Sequence, residues 1–240
     1  MESLSIKTVF TLTLLGYNIP ITETVVVSWI VMAILIVVSI AITRKLRIIP
    51  QGPQVILETG VEFLNNFSKD QFGSFAKYLG PYMGSLFLFI ITANVIGVLS
   101  PPEIKAFSYE FIPPFPLRPP TRDINVTAAL AAISILLVLV CGIAARGLRG
   151  WLKNFLNPIP LMLPFNILEY GTRLLSLALR LFGNILDGYV MMGLIEGILP
   201  IALPAVFALY FDFFDGLLQA AIFVFLTSLY ISEAVKIHYE

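Results

Sequence analysis

The sequence predicts an all-α integral membrane protein, and three features predict it: its composition, the lengths of its apolar runs and the placement of its basic residues. Of 240 residues, 58% are hydrophobic and 12% charged, about half the charged share of a typical soluble domain. The mean hydropathy is +0.91. Several apolar runs are long enough to cross a bilayer, and clusters of Lys and Arg follow two of them directly. The 15 basic and 15 acidic residues leave no formal net charge, so nothing marks a nucleic-acid partner.

Residues 21–43 supply the first span, about 34 Å as a helix, enough for a ~30 Å hydrocarbon core. Residues 1–20 form an external N-terminal segment, with Lys7 but no small-residue cleavage site of the signal-peptide kind. Glu23 reads as an interfacial charge. Arg44, Lys45 and Arg47 follow the span, which places that end in the cytoplasm and the N-terminus outside. Pro50 and Pro53 then break the chain. Within 51–72, Val55, Ile56, Leu57, Val61, Phe63, Leu64 and Phe67 mix with Glu58, Glu62, Lys69 and Asp70, the pattern of an amphipathic helix on the membrane surface.

The second span is 78–99. Residues 100–122 hold Pro101, Pro102, Pro113, Pro114, Pro116, Pro119 and Pro120; they cannot sustain a helix and predict an external loop. The third span, 123–145, exits through Arg146, Arg149 and Lys153, a second cytoplasmic cluster that agrees with the first. Residues 154–199 would be about 69 Å long as a helix, more than twice the hydrocarbon thickness. Pro158, Pro160 and Pro164 leave their first part irregular, and Pro200 and Pro204 mark a turn before the last segment, 205–235. Either ordinary spans joined by unusual loops or a long, strongly tilted hairpin facing a protein partner fits this pattern. No internal repeat points to an inverted-repeat transporter.

One face of the first hairpin segment carries nearly all its polarity. At about 100° per residue, Glu169 and Asp187 fall about 20° to one side of Arg180 and Arg173 about 20° to the other, with Ser176 and Asn184 about 40° away. Glu169 and Arg173 are spaced as an i,i+4 pair. Asp212, Asp215 and Gln219 repeat the arrangement within about 60° on the last segment. A fold-back near residue 201 brings 187 level with 215, Gln219 level with Gly183, and Glu169 level with Glu233. A guanidinium cannot shed its charge, and one inside hydrocarbon costs about 2.5–3.5 kcal/mol on insertion scales. Two polar inlets on either side of such a cation make an ion path in which direct passage is repelled. A mobile carboxylate on a second protein would carry the ion around the Arg, which favours its ionised form.

The string Ser176-Leu-Ala-Leu-Arg180-Leu-Phe-Gly-Asn184 closely resembles the signature of subunit a of F-type ATP synthases. Asn94 in Ile-Thr-Ala-Asn-Val-Ile-Gly, Pro120-Thr-Arg-Asp123-Ile-Asn-Val-Thr127, Pro164-Phe-Asn-Ile-Leu-Glu169 and Leu218-Gln219-Ala-Ala-Ile-Phe-Val-Phe-Leu-Thr227 extend the resemblance in the same order. The resemblance implies the tilted hairpin, embracing a rotating c-ring, with Arg180 as the stator arginine and Gln219, Asn184 and Ser176 beside it. It also implies a subunit b peripheral stalk and the rest of the ATP synthase as partners, in a bacterial plasma membrane with the C-terminus cytoplasmic. Glu169 then belongs to a cytoplasmic half-channel with Arg173 and Glu233. Asp123 lies on the outer side with Asp187, Asp212, Asp215 and Tyr189. Where many relatives carry an acidic residue or histidine, nine residues after the Arg, this chain has Tyr189; Asp187 or Asp212 is left for that ionisable role. Leu174 stands near a position where many relatives have proline, which straightens the helix.

Other chemistry finds no support in the sequence. There is no phosphate loop, and the single Cys141 and single His238 offer neither a zinc pattern nor a triad. Cys141 reads as packing and His238 as a solvated tail group. No cofactor and no catalysis by the chain alone are expected. Protons are the expected coupling ion, with Na⁺ as the alternative. The rival function is a self-contained secondary transporter, in which Arg180 binds an anionic substrate.

Overall fold

A computed structural model describes residues 8–14, 17–44, 46–98, 118–156, 161, 163–198, 207 and 209–235. The expected Pro-rich loop falls largely outside these residues, as do His238 and the side chains of Tyr189, Glu196 and Asp212. Helices dominate because hydrocarbon offers backbone N–H and C=O groups no partners but each other. One element was not foreseen. Strands β1 (Thr8–Leu14) and β2 (Tyr17–Thr22) pair antiparallel, in a stretch where Thr alternates with apolar residues at the period of a strand.

Helix α1 (Glu23–Thr43) follows at once. Helix α2 (Pro53–Phe72) starts after Gly52, whose φ of 62° favours glycine, and has Pro in its first turn, where the missing N–H costs nothing. A short 3-10 turn, Gly73–Phe75, then reverses the chain into α3 (Ala76–Val98). The reversal lays α2 back along α3. A Cβ on Gly80 would sit 3.3 Å from Ser68 Oγ, and one on Gly84 3.5 Å from Leu64.

Helix α4 (Ile124–Leu156) begins at Asp123, whose Oδ1 accepts the Asn125 N–H at 2.9 Å. It runs past the expected end of the third span. Gly147, at φ 70° and ψ 158°, breaks the helical path, and Trp151 returns to within 3.2 Å of where a Gly142 Cβ would lie. Helix α5 (Leu163–Ile198) runs through 36 residues, about 54 Å, and it takes Pro164 into its first turn. A π-helical segment, Leu209–Asp215, leads into α6 (Gly216–Val235). The five stretches 23–43, 54–96, 124–153, 163–195 and 213–235 are long and apolar enough to cross a membrane.

Helices α3 to α6 share one core. Met83, Ile90, Val138, Leu181, Phe223 and Ile231 are fully buried in it. Helix α1 joins more loosely through Val27 and Val31 against Ile96. Many remaining apolar side chains, including Ile36, Val37, Leu136 and Ile167, point outward, as hydrocarbon permits. Both basic clusters, after α1 and around Arg146, fall at the end of the bundle opposite Asp123.

Phe223→Ala should destabilise the protein by about 3–5 kcal/mol through the cavity it leaves. Leu136→Ala, on an outward face, should stay within about 0.5 kcal/mol. Thermal unfolding of the detergent-solubilised variants checks both.

Candidate functional site

Helix α5 buries one stripe and exposes the opposite one. Leu177, Ala178 and Leu181 pack into the core, which turns Ser176, Leu179 and Arg180 outward, and all three are exposed. Among the described residues Arg180 has neither an ion pair nor a hydrogen bond. A permanent cation on the flank of a membrane-length helix is therefore left to be satisfied by something outside the bundle.

Beyond Arg180 toward the end of α5, Asn184 and Asp187 lie close enough to interact with the Asp215 carboxylate. The fold-back expected from the sequence thus does bring 187 and 215 to one level. Asp215 is half-buried and Asp187 exposed. The π-helical turn alters the wheel assumed for this segment. Its i→i+5 repeat turns through less angle per residue than an α-helix, so the α-helical wheel does not carry over to the start of this segment.

A second cluster lies on the other side of Arg180. Arg173 Nη2 donates to Glu169 and also, at 2.7 Å, to Glu233 Oε2. Its guanidinium stands 4.6 Å from the Tyr230 ring centroid and 5.8 Å from that of Tyr170. Arg146 Nη2 reaches the Glu233 carbonyl at 3.5 Å. Both carboxylates remain about half exposed, at 52% and 50%. Along the α5 axis Glu169 is about 16 Å from Arg180 and Asp187 about 10 Å on the opposite side.

The Asp123 end holds a third polar group. Glu23 is only 3% exposed, with Oε1 3.6 Å from Arg118 Nη1; it is a buried ion-pair member and not the interfacial charge its position suggested. Thr24 donates to Asp123 Oδ2 at 2.8 Å. Thr121 donates to Asn94 Oδ1 at 2.7 Å, and Asn94 Nδ2 donates to the Gly216 carbonyl at 3.2 Å. Asp123 is buried and occupied by Thr24 and by capping α4. Gln219 is buried as well, and its Nε2 has no partner among the described residues.

Sequence reasoning gave Asn94 no role beyond resemblance, placed Arg146 only in a basic cluster, and did not single out Tyr230 or Tyr170. Asn94 had a usable signal, being a lone amide in an apolar span. Tyr230 had another, since it stands three residues before Glu233 and therefore shares its face.

These features define a multi-pass helical membrane protein in which one long helix carries an outward cation between two carboxylate clusters. Residues 25–232 match the family model described as the ATP synthase A chain. Over 219 residues, 91% of this chain and 76% of the relative, the sequence is 32% identical to the "ATP synthase subunit a, sodium ion specific" of Propionigenium modestum. The chain belongs to the ATP synthase A chain family.

Because one guanidinium serves two carboxylates and two rings, Arg173→Ala should destabilise the protein by about 1–2 kcal/mol. Glu169→Gln or Glu233→Gln should cost less. Arg173→Lys should not restore the loss, since an ammonium lacks the planar fork. Thermal midpoints of the four variants decide this.

Proposed function

We propose that this chain is the ion-conducting stator subunit of an F-type ATP synthase, set beside a ring of c subunits and held by the subunit b peripheral stalk. The single observation that carries the reading is Arg180, exposed on the flank of a membrane-length helix with no ion pair or hydrogen bond among the described residues. The basic clusters, gathered at the end opposite Asp123, support a cytoplasmic assignment of that end. The N-terminus is then outside and the C-terminus cytoplasmic. On this reading α1, α3 and the first part of α4 stand upright, α2 lies at the cytoplasmic surface, and α5 with α6 forms the tilted hairpin against the ring.

Ions enter the outer half-channel past Asp187 and Asp215, with Asn184 beside the latter, and with Asp123, Asp212 and Tyr189 on the same side. A ring carboxylate takes the ion there. Rotation carries it through the membrane, and the inner half-channel at Glu169, Arg173 and Glu233 exchanges it with the cytoplasm. Arg180 keeps the returning carboxylate ionised and repels any cation moving straight between the inlets. Ser176 and Gln219 border this crossing point. Chemistry on nucleotide is left to other subunits, so the chain itself is not an enzyme.

Vesicles containing the assembled complex, assayed for ATP-driven acidification and for Na⁺ uptake, identify the ion. Arg180→Ala should abolish coupled transport of whichever ion the parent moves. Assembly of that variant with unimpaired pumping would reject the role, and solute transport by the isolated chain would favour a self-contained transporter.

A further inference from the structure

The α6 helix does not begin as an ordinary helix. It emerges from the π-helical segment Leu209–Asp215, and the change of winding falls at Asp215–Gly216. π-Helical turns cost hydrogen-bond geometry and persist where surrounding contacts fix them. Here the fixing contact comes from a different helix. Asn94, 4% exposed near the end of α3, donates Nδ2 to the Gly216 carbonyl at 3.2 Å, while its Oδ1 accepts from Thr121 Oγ1 at 2.7 Å. Thr121 is fully buried. Both heteroatoms of the amide are thereby committed, which sets its orientation.

Gly216 makes the contact sterically possible. A Cβ there would lie 3.0 Å from Asn94 Cβ and 3.3 Å from Nδ2, too close for a side chain without one helix shifting. The residue just before Gly216 is Asp215, which meets Asn184 and Asp187 of α5. Rotation of the junction by a fraction of a turn would swing that carboxylate away from α5.

We propose that Asn94, oriented by Thr121, is a positioning residue that fixes the π-to-α junction and so sets where Asp215 meets Asn184 and Asp187 in the outer half-channel. Asn94 touches no transported ion in this role. The inference rests on the stator reading above and adds to it a device that acts on the outer inlet alone. Removing the clamp should therefore weaken ion capture from the outside more than it slows a saturated motor.

The test uses the assembled complex in vesicles, with ATP synthesis measured as the ion concentration on the outer side is varied, as pH and as Na⁺. Asn94→Ala and Thr121→Val should each raise the half-saturating concentration on that side roughly three- to tenfold, the worth of one buried hydrogen bond, with a smaller change in maximal rate. Half-saturation on the cytoplasmic side should not move. Thr121→Ser, which keeps the hydroxyl, should return the outer value to the parent's. Gly216→Ala should reproduce the defect, since its Cβ would meet Asn94.

Equal shifts on both sides, or a Thr121→Ser variant as impaired as Thr121→Val, would mean a general packing role and overturn the proposal. Unchanged outer half-saturation in Thr121→Val would overturn it too. Arg180→Ala, run alongside, separates the two ideas: if it still uncouples the motor, only the positioning role has failed, and if it pumps normally the stator reading fails instead.

Discussion

A positive charge that cannot be neutralised, carried on the side of a membrane-length helix, constrains everything else in this protein. Among the described residues Arg180 gains no ion pair or hydrogen bond, because its neighbours Leu177, Ala178 and Leu181 take the inward positions and leave it facing out. Hydrocarbon alone is a poor environment for it. The surrounding architecture makes sense if a partner supplies an anion at that place. Carboxylates that would satisfy it internally are kept away, held by Arg173 at one end and standing beside Asn184 near the other. A cation paired internally would have no charge left to offer a passing carboxylate.

Packing supports this division of labour. The shared core of α3 to α6 is built from fully buried aliphatic side chains and Phe223, so the flank that carries Arg180 is presented by a rigid body. Polar contacts are confined mainly to the two ends. At one, Arg173 holds α5 to α6 through Glu233 and Tyr230. At the other, Thr24, Asp123, Thr121 and Asn94 join α1, α3 and α4 to the start of α6. The hairpin is thus gripped at both ends, and the stretch around Arg180 lies between the grips.

Much of this was legible in the sequence for definite reasons. Long apolar runs and proline positions give helix existence directly, because hydrocarbon enforces the helix wherever the chain enters it. The pairing of Glu169 with Arg173 followed from i,i+4 spacing, and the proximity of Glu233 and of Asp215 to Asp187 followed from a simple fold-back. What escaped depends on tertiary contact or on local winding. The π-helical turn before Gly216 has no periodicity that distinguishes it from an α-helix over so few residues. Glu23 looks like any acid at a helix start until Arg118 closes over it. The extension of α4 past Gly147 was hidden because glycine and a basic cluster usually end a span, whereas here Trp151 packs back on Gly142.

The most direct measurement is an experimental density map of the assembled membrane complex, resolved well enough to place the Arg180 guanidinium and the ring carboxylates. The account predicts a ring carboxylate within about 4–6 Å of that guanidinium, the range over which an opposite charge holds an acid ionised, with water-filled openings reaching Asp215 from one side and Glu169 from the other. An Arg180 side chain turned toward lipid, with no ring carboxylate near it, would contradict the account.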